Sequence, residues 1–399
     1  MKKGWQIKKL GELFDITSSK RVFESDWKRE GVPFYRAREI VKLAKQGYVD
    51  NELFISEEMY DAYSKKYGIP SPGDIMVTGV GTLGICYVAK ENDRFYFKDG
   101  NIIWLKKRSE ADSRFIEYAF QSDYLRKQID DSVGATVGTY TIIKAKSTRV
   151  PIPPLAEQQR IVSILDEAFE KIATAKANAE KNLQNARALF ESHLNDVFTN
   201  KGKGWVEKKL GDLSRINYGY TESASSEKIG PHFLRITDIQ GNRVDWSTVP
   251  YCLIARDDLP KYKLADGDIV FARTGATTGK SYLVTNPPES VFASYLIRVQ
   301  LLEKEILPQF VNLFFQTYSY WDTIRAGVSG SAQGGFNATK LGELVIPYPK
   351  TSNDQKNIVA KLEALSNETQ RLEAIYRQKL AALEALKKSL LDQAFSGGL

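Results

Sequence analysis

Two stretches, each more than forty residues long and free of glycine and proline, constrain this chain more than any other feature of it. The first follows the proline-punctuated lead-in PIPPLAEQQRIV at Pro151 and runs to Phe198; the second lies within Ile346 to Phe395, after the lead-in IPYPKTSNDQKNIV. Good helix formers without a breaker over that length predict helices far longer than the mean of about 12 residues in globular proteins. Each closes a region of mixed, strand-like sequence. The chain is therefore read as two halves, each ending in a long helix.

The apolar spacing in these stretches is that of a helix with a helical partner. Ile161, Leu165, Ala168, Ile172, Ala175 and Ala179 step alternately by four and three, and a second step of four to Leu183 leads on to Ala186, Phe190 and Val197. Ile358, Leu362, Leu365, Thr369, Leu372 and Tyr376 repeat the pattern, and a second step of four leads to Leu380, Leu383 and Leu390. A heptad seam asks for a second helix, and an added step of four locally unwinds the supercoil. Because the irregularity falls at the same place in both, the expected partner of each helix is the other, rather than the surface of its own domain. A helix of about 42 residues spans roughly 63 Å at about 1.5 Å per residue, close to two turns of B-DNA at about 34 Å each.

The halves themselves repeat. GWQIKKLGEL at Gly4 returns as GWVEKKLGDL at Gly204, and FYRAREI at Phe34 as FLRITDI at Phe233. GDIMV at Gly73 matches GDIVF at Gly267, GATVGTYTIIK at Gly134 matches GSAQGGFNATK at Gly330, and EQQRIV at Glu157 matches DQKNIV at Asp354. Five landmarks in one order define an internal duplication. Within each copy, short runs such as DIMVTG, GICYVA, NIIWL, DIVFAR and SYLVT between turn residues predict strands. SRFIEYAFQSDYLRKQI and PQFVNLFFQTYSYWDTI have helical spacing. The class is α+β. The expected divisions are 1–150 and 204–349 for the two mixed domains, 151–203 for the central helix and linker, and 350–399 for the C-terminal helix.

Charge and rare residues narrow the chemistry. The net charge is +7, yet residues 156–199 carry 5 basic and 7 acidic side chains and 354–395 carry 7 and 6, so the globular parts hold an excess of +8. Such an excess suits a polyanion such as nucleic acid. Cys86 and Cys252 are too far apart in sequence for a CxxC pair, and His193 and His232 are the only histidines. Neither a zinc site nor a Ser/His/Asp triad is readily assembled from them. No run reaches the roughly 18 apolar residues of a membrane span, and MKKGWQIKKLGEL has no apolar core that would make it a signal peptide. The expected location is the cytoplasm, with no membrane partner.

The paired GWxxKKLG[ED]L starts, the paired GDI landmarks with glycine-rich loops after them, and the PIPPLAEQQRIV lead-in resemble the specificity subunit, HsdS, of type I restriction-modification systems. The resemblance covers essentially the whole chain; the second lead-in departs from the motif at Tyr348, Lys350 and Asn353. It implies a non-catalytic subunit with two target-recognition domains, each reading one half of a bipartite double-stranded DNA site. It further implies an antiparallel pair of spacer helices, two methyltransferase subunits and restriction subunits as partners. S-adenosylmethionine, ATP and Mg are then expected in those partners, with no cofactor and no metal in this chain. The reading of a different class is a protein-interaction scaffold with two protein-binding heads and a coiled-coil dimerisation element.

Three local motifs suggest enzymes and fail on context. Gly79-Val80-Gly81-Thr82-Leu83-Gly84 fits GxGxxG, but the strand-like ICYVA follows where a phosphate-binding helix would have to start. Arg273 to Ser281 is one residue short of a P-loop. Asn286-Pro287-Pro288-Glu289 lacks the aromatic residue that would stack on a flipped base. The better candidates are the polar glycine-rich loops. They offer Thr78, Thr82, Thr136, Thr139 and Tyr140 in the first half, and Arg273, Thr274, Thr277, Thr278, Lys280, Ser331, Gln333 and Asn337 in the second, with Tyr220 and Thr221. Arg can fork onto guanine, and Asn or Gln onto adenine. Lys20, Arg21, Arg36, Arg38 and Arg235 are candidates for phosphate contacts, against the plainer alternative of structural salt bridges.

Overall fold

A computed structural model describes residues 4–130, 138–302, 305–329 and 335–399. The chain divides into two compact units, Met1–Glu180 with Gln378–Leu399, and Lys181–Arg377. Each unit therefore contains one mixed domain, part of the central helix (Leu155–Thr199) and part of the C-terminal helix (Ser352–Ser396).

In the first unit a four-stranded antiparallel sheet runs in the order Phe14–Thr17, Ile102–Lys107, Ile75–Thr78, Cys86–Val88. Ile75–Thr78 is buried along its whole length because both faces of the sheet are covered. Ile75 and Val77 pack with Phe115 and Ile116 of the helix Ser113–Gln121, while Met76 packs with Ile40 and Leu43 of the helix Ala37–Gln46. Such a strand reads as a continuous apolar run, and alternation cannot be expected of it. A smaller sheet pairs Val32–Tyr35 with Phe54–Ile55 and, in parallel, with Tyr96–Phe97. A ribbon of Gln6–Lys9 against Arg149–Ile152 brings the start of the domain beside the strand that leads into the central helix.

The second unit repeats the four-stranded sheet, the ribbon and the parallel pair, with no strand among the described residues in the place of Phe54–Ile55. Ser214–Tyr218, Leu296–Leu301, Ile269–Ala272 and Ser281–Leu283 form the four-stranded sheet in the same order, and Trp205–Lys209 pairs with Val345–Pro349 in the ribbon. His232–Leu234 lies parallel to Ser290–Phe292. The duplication is thus one of strand order and register as well as of motifs.

The long helices run antiparallel to each other in each unit. In the first, Ile161 and Leu165 share a core with Leu391, Ala394 and Phe395, and Lys176 meets Glu384 at 2.6 Å. In the second, Leu194 and Phe198 share a core with Val359 and Leu362, and Arg187 meets Glu373 at 3.1 Å. The seam residues Ile161, Leu165, Ile172, Leu183 and Phe190, and Ile358, Leu362, Leu365, Leu372, Tyr376, Leu380, Leu383 and Leu390, are all buried or half-buried. Leu194, Val359 and Leu391 are also buried and stood outside the sequence pattern. The helix ends continue into the domain cores: the Phe115 and Phe395 rings lie 5.0 Å apart, and Phe198 and Phe310 5.1 Å apart.

Each helix start is fixed by a buried glutamine. The Gln158 side chain accepts from the Asp112 N–H at 2.9 Å and donates to the Pro153 carbonyl at 2.8 Å. Gln355 accepts from the Leu307 N–H at 2.9 Å and donates to the carbonyls of Glu305 and Pro349 at 2.7 and 2.9 Å. Both are 3% exposed or less, so losing the amide would strand buried backbone groups. Gln355→Leu is expected to destabilise the second unit by about 1–3 kcal/mol, measured as a shift of the denaturant midpoint; an unchanged midpoint would show that the clamp is dispensable.

Candidate nucleic-acid interface

The glycine-rich loops gather at corresponding ends of the two four-stranded sheets, and three backbone segments meet there. In the first unit Gly79 donates its N–H to the Asn101 carbonyl, and its carbonyl accepts from the Tyr140 N–H, both at 2.9 Å. A side chain at Gly79 would put its Cβ 2.7 Å from the Tyr140 oxygen, so in the first unit these segments lie closer than a side chain there allows. In the second unit Arg273 donates its N–H to the Tyr295 carbonyl at 3.1 Å and accepts from the Phe336 N–H at 2.9 Å. Arg273 therefore stands where the first unit has Gly79, and Tyr295 where it has Asn101. The scaffold is the same and the side chains on it are not.

The second loop cluster is the richer in chemistry. Arg273 is half-buried, and its guanidinium lies 4.9 Å over the Tyr218 ring. Among the described residues its buried Nε has no hydrogen-bond partner. The Tyr218 hydroxyl accepts from the Ala338 N–H at 3.1 Å, which fixes the ring beneath the guanidinium. Tyr295 is 60% exposed. Beside it lies a cleft of about 520 Å³ lined by Tyr220, Thr221, Phe233, Arg235 and Tyr295 among others. Thr274 is half-buried, Thr277 lies in the short turn Gly275–Thr277, the Thr278 hydroxyl donates to the Gly275 carbonyl at 2.8 Å, and Lys280 is exposed. Asn337 caps the helix Ala338–Gly342 by accepting from the Lys340 N–H at 2.9 Å, as Thr141 caps Ile142–Ser147 in the first unit.

Several sequence candidates have structural partners. Thr78 is fully buried; its hydroxyl bonds the Thr82 carbonyl and accepts from the Ile85 N–H at 3.0 Å, closing the turn on which exposed Thr82 sits. Tyr140, expected on a polar loop, is 2% exposed instead, and its hydroxyl bonds that of Thr148 at 2.7 Å. Both residues shape the loops from inside. Thr139 is exposed beside them. Thr136, Ser331 and Gln333 lie outside the described residues.

The basic candidates are largely held by carboxylates. The Glu39 carboxylate accepts from the Arg36 backbone N–H at 2.9 Å and from its guanidinium at 3.2 and 3.1 Å, and Arg38 joins it while reaching Glu52 at 2.6 Å. Burial pushes the Glu39 carboxyl up, but the bonds from Arg36 and Arg38 outweigh it and hold the pKa below the usual value. Asp238 holds Arg235 in the same way, at 2.8 and 3.0 Å. Arg21 pairs with Asp99 at 2.9 Å, and the Lys20 ammonium sits 5.8 Å over the Tyr67 ring. The two cysteines are buried; burial pushes the Cys252 thiol up to about 11, which leaves it a poor nucleophile at neutral pH. Among the described residues no helix is long and apolar enough to cross a membrane.

A sequence profile described as "Type I restriction modification DNA specificity domain" matches residues 2–184 and again 202–384. The EcoKI specificity subunit of Escherichia coli strain K12 is 26% identical over 306 residues, a match spanning 72% of this chain and 66% of that one. The EcoBI specificity subunit of Escherichia coli is 22% identical over 99% of this chain and 86% of its own length. A putative specificity subunit of Haemophilus influenzae is 29% identical over 43% of this chain and only 41% of its own length. Two solved folds are similar over the full length of this chain at 18% identity. A chain from the structure described as "Structural basis underlying complex assembly and conformational transition of the type I R-M system" superposes with a TM-score of 0.77 and is covered over 99% of its length. The HsdS subunit from Thermoanaerobacter tengcongensis does so at 0.62 over 98%. With both of its copies matched, the chain belongs to the family of type I restriction-modification DNA specificity subunits.

Proposed function

We propose that this chain is the sequence-specificity subunit of a type I restriction-modification complex. It reads a bipartite double-stranded DNA site, one half-site with each unit, and directs partner modification and restriction subunits to that site. It performs no catalytic step itself; S-adenosylmethionine, ATP and Mg are used by the partners, and two modification subunits attach. The observation that carries this reading is the repeated loop cluster with unlike residues at equivalent positions, Gly79 and Asn101 in one unit, Arg273 and Tyr295 in the other. Two copies of one scaffold with different side chains at the same place suit two different half-sites, because base identity is read by a few side chains and the rest of the interface only positions them.

Retention of a randomised duplex library by the reconstituted complex tests it. Sequence-selective retention that weakens steeply with salt supports DNA reading; absent or salt-insensitive retention favours two protein-binding heads instead. Arg273, stacked on Tyr218 with donors to spare, is the strongest candidate for a bidentate contact to guanine. Arg273→Ala is expected to lower discrimination at one base pair of one half-site by about 1–3 kcal/mol and leave the other half-site unchanged. Competition binding with single-base variants reads this out, and an equal loss at every position would reduce Arg273 to a backbone contact.

A further inference from the structure

The two copies diverge at one further place, on a face of the four-stranded sheet. In the first unit Trp104, opposite Thr17 and Met76, donates its indole N–H to Asp74 at 2.8 Å, and Lys106 lies 3.9 Å over the indole. In the second unit the same register puts Arg298 opposite Asn217 and Val270, with Asp268 in the place of Asp74. Arg215 takes the place of Asp15, which lies opposite Lys106 in the strand register of the first unit, and Gln300 that of Lys106 itself. An aromatic lid on one copy is thus a guanidinium in the other.

Arg298 is almost wholly enclosed, its side chain 6% exposed. Nη1 donates to the Lys263 carbonyl at 2.7 Å and Nη2 to the Lys261 carbonyl at 3.1 Å, which pins the loop carrying these two lysines. The Asp268 carboxylate is 3.7 Å away, beyond hydrogen-bonding distance, and itself accepts from the Ala265 N–H at 2.9 Å. Among the described residues the Arg298 Nε has no partner. Burial lowers the guanidinium from its usual pKa, against the pull of Asp268. A cleft of about 540 Å³ opens here, lined by Arg215, Asn217, Lys261, Lys263, Arg298 and Gln300 together with apolar loop residues. Lys263 lies 3.9 Å from the Glu289 carboxylate, and the Lys261 ammonium 4.9 Å over the Tyr262 ring.

We infer that this cleft is a phosphate-binding site of the second unit with no counterpart in the first. Exposed Arg215, Lys261 and Lys263 line it together with the enclosed Arg298, and a phosphate group has the charge and the acceptor oxygens to engage such a set of cations. The phosphate could be a phosphodiester of the DNA backbone or that of a small phosphate ester, and the two sources separate experimentally. The inference does not rest on the DNA reading, because binding of free phosphate can be measured without DNA.

Arg215→Gln combined with Lys263→Gln removes two exposed cations and leaves Arg298 in place. Inorganic phosphate titrated into the full chain by calorimetry is expected to bind saturably, and about tenfold more weakly in the double variant, with Lys361→Gln as an unaffected control. If the source is DNA, the salt slope of DNA retention by the reconstituted complex also falls by about one to two in the double variant. An unchanged slope with phosphate binding intact assigns the site to a small phosphate ester. Phosphate binding that is absent or insensitive to the double substitution, together with an unchanged slope, overturns the site. Should the complex fail to retain DNA at all, the phosphate titration alone decides.

Discussion

Adding one heptad to both long helices, between Glu180 and Lys181 and between Arg377 and Gln378, is expected to change the gap between the two half-sites by about three base pairs and to leave the bases read unchanged. Seven residues add about 10 Å of helix, and a base pair occupies about 3.4 Å. A whole heptad keeps the apolar seam in register. The insertion points fall within the matched second steps of four, Ala179–Leu183 and Tyr376–Leu380, where the supercoil is locally unwound. The original site should then fall to the background of non-specific DNA, and a site with the altered gap should replace it. An unchanged gap would separate the helices from any measuring role.

Leu165→Ala is expected to have the largest effect on stability. Leu165 is fully buried among Ile161, Leu391, Ala394 and Phe395, where both helices enter the core of the first unit. Truncating such a side chain costs about 2–5 kcal/mol, because the transfer energy and the cavity add. Hydrogen exchange should show the loss in 155–180 and 378–396, with protection there falling by roughly 30-fold or more. Segments 181–199 and 352–377, which belong to the second unit, should keep their protection. A uniform loss along both helices would mean that the two units do not open independently.

The long helices and the duplication were legible because both are periodic. A seam every three or four residues and a set of landmarks at a near-constant offset survive any uncertainty about individual contacts. The strands were legible as apolar runs between turn residues, the fully buried Ile75–Thr78 and Ile269–Ala272 included. What the loops do was less so. Thr78 and Tyr140 look like surface donors, yet their hydroxyls bond Thr82 and Thr148 in the interior, a consequence of tertiary packing that no spacing encodes. The partners of the loop cluster, Asn101 and Tyr295, sit about 22 residues downstream of Gly79 and Arg273 and meet them only through the sheet. Gln158 and Gln355 stand out in the sequence only as part of the matched EQQRIV and DQKNIV landmarks, and they are buried clamps.

Two ion pairs of the basic candidates do carry a signal in their spacing. Arg36 and Glu39, like Arg235 and Asp238, are spaced by three at a helix start, the spacing at which a carboxylate can bond back to the preceding backbone and side chain. The two copies aligned residue by residue also expose Trp104 against Arg298 and Gly79 against Arg273. Differences between copies mark where each unit does something of its own, whereas shared landmarks mark the scaffold.

The most direct test of bipartite reading is to map methylated adenines genome-wide after co-expressing the chain with its modification subunit. The expected result is one discontinuous sequence, two half-sites separated by a gap of fixed length, with Arg273→Ala relaxing a single position in one half. Methylation at a continuous site, at gaps of variable length, or with no sequence preference would contradict the account.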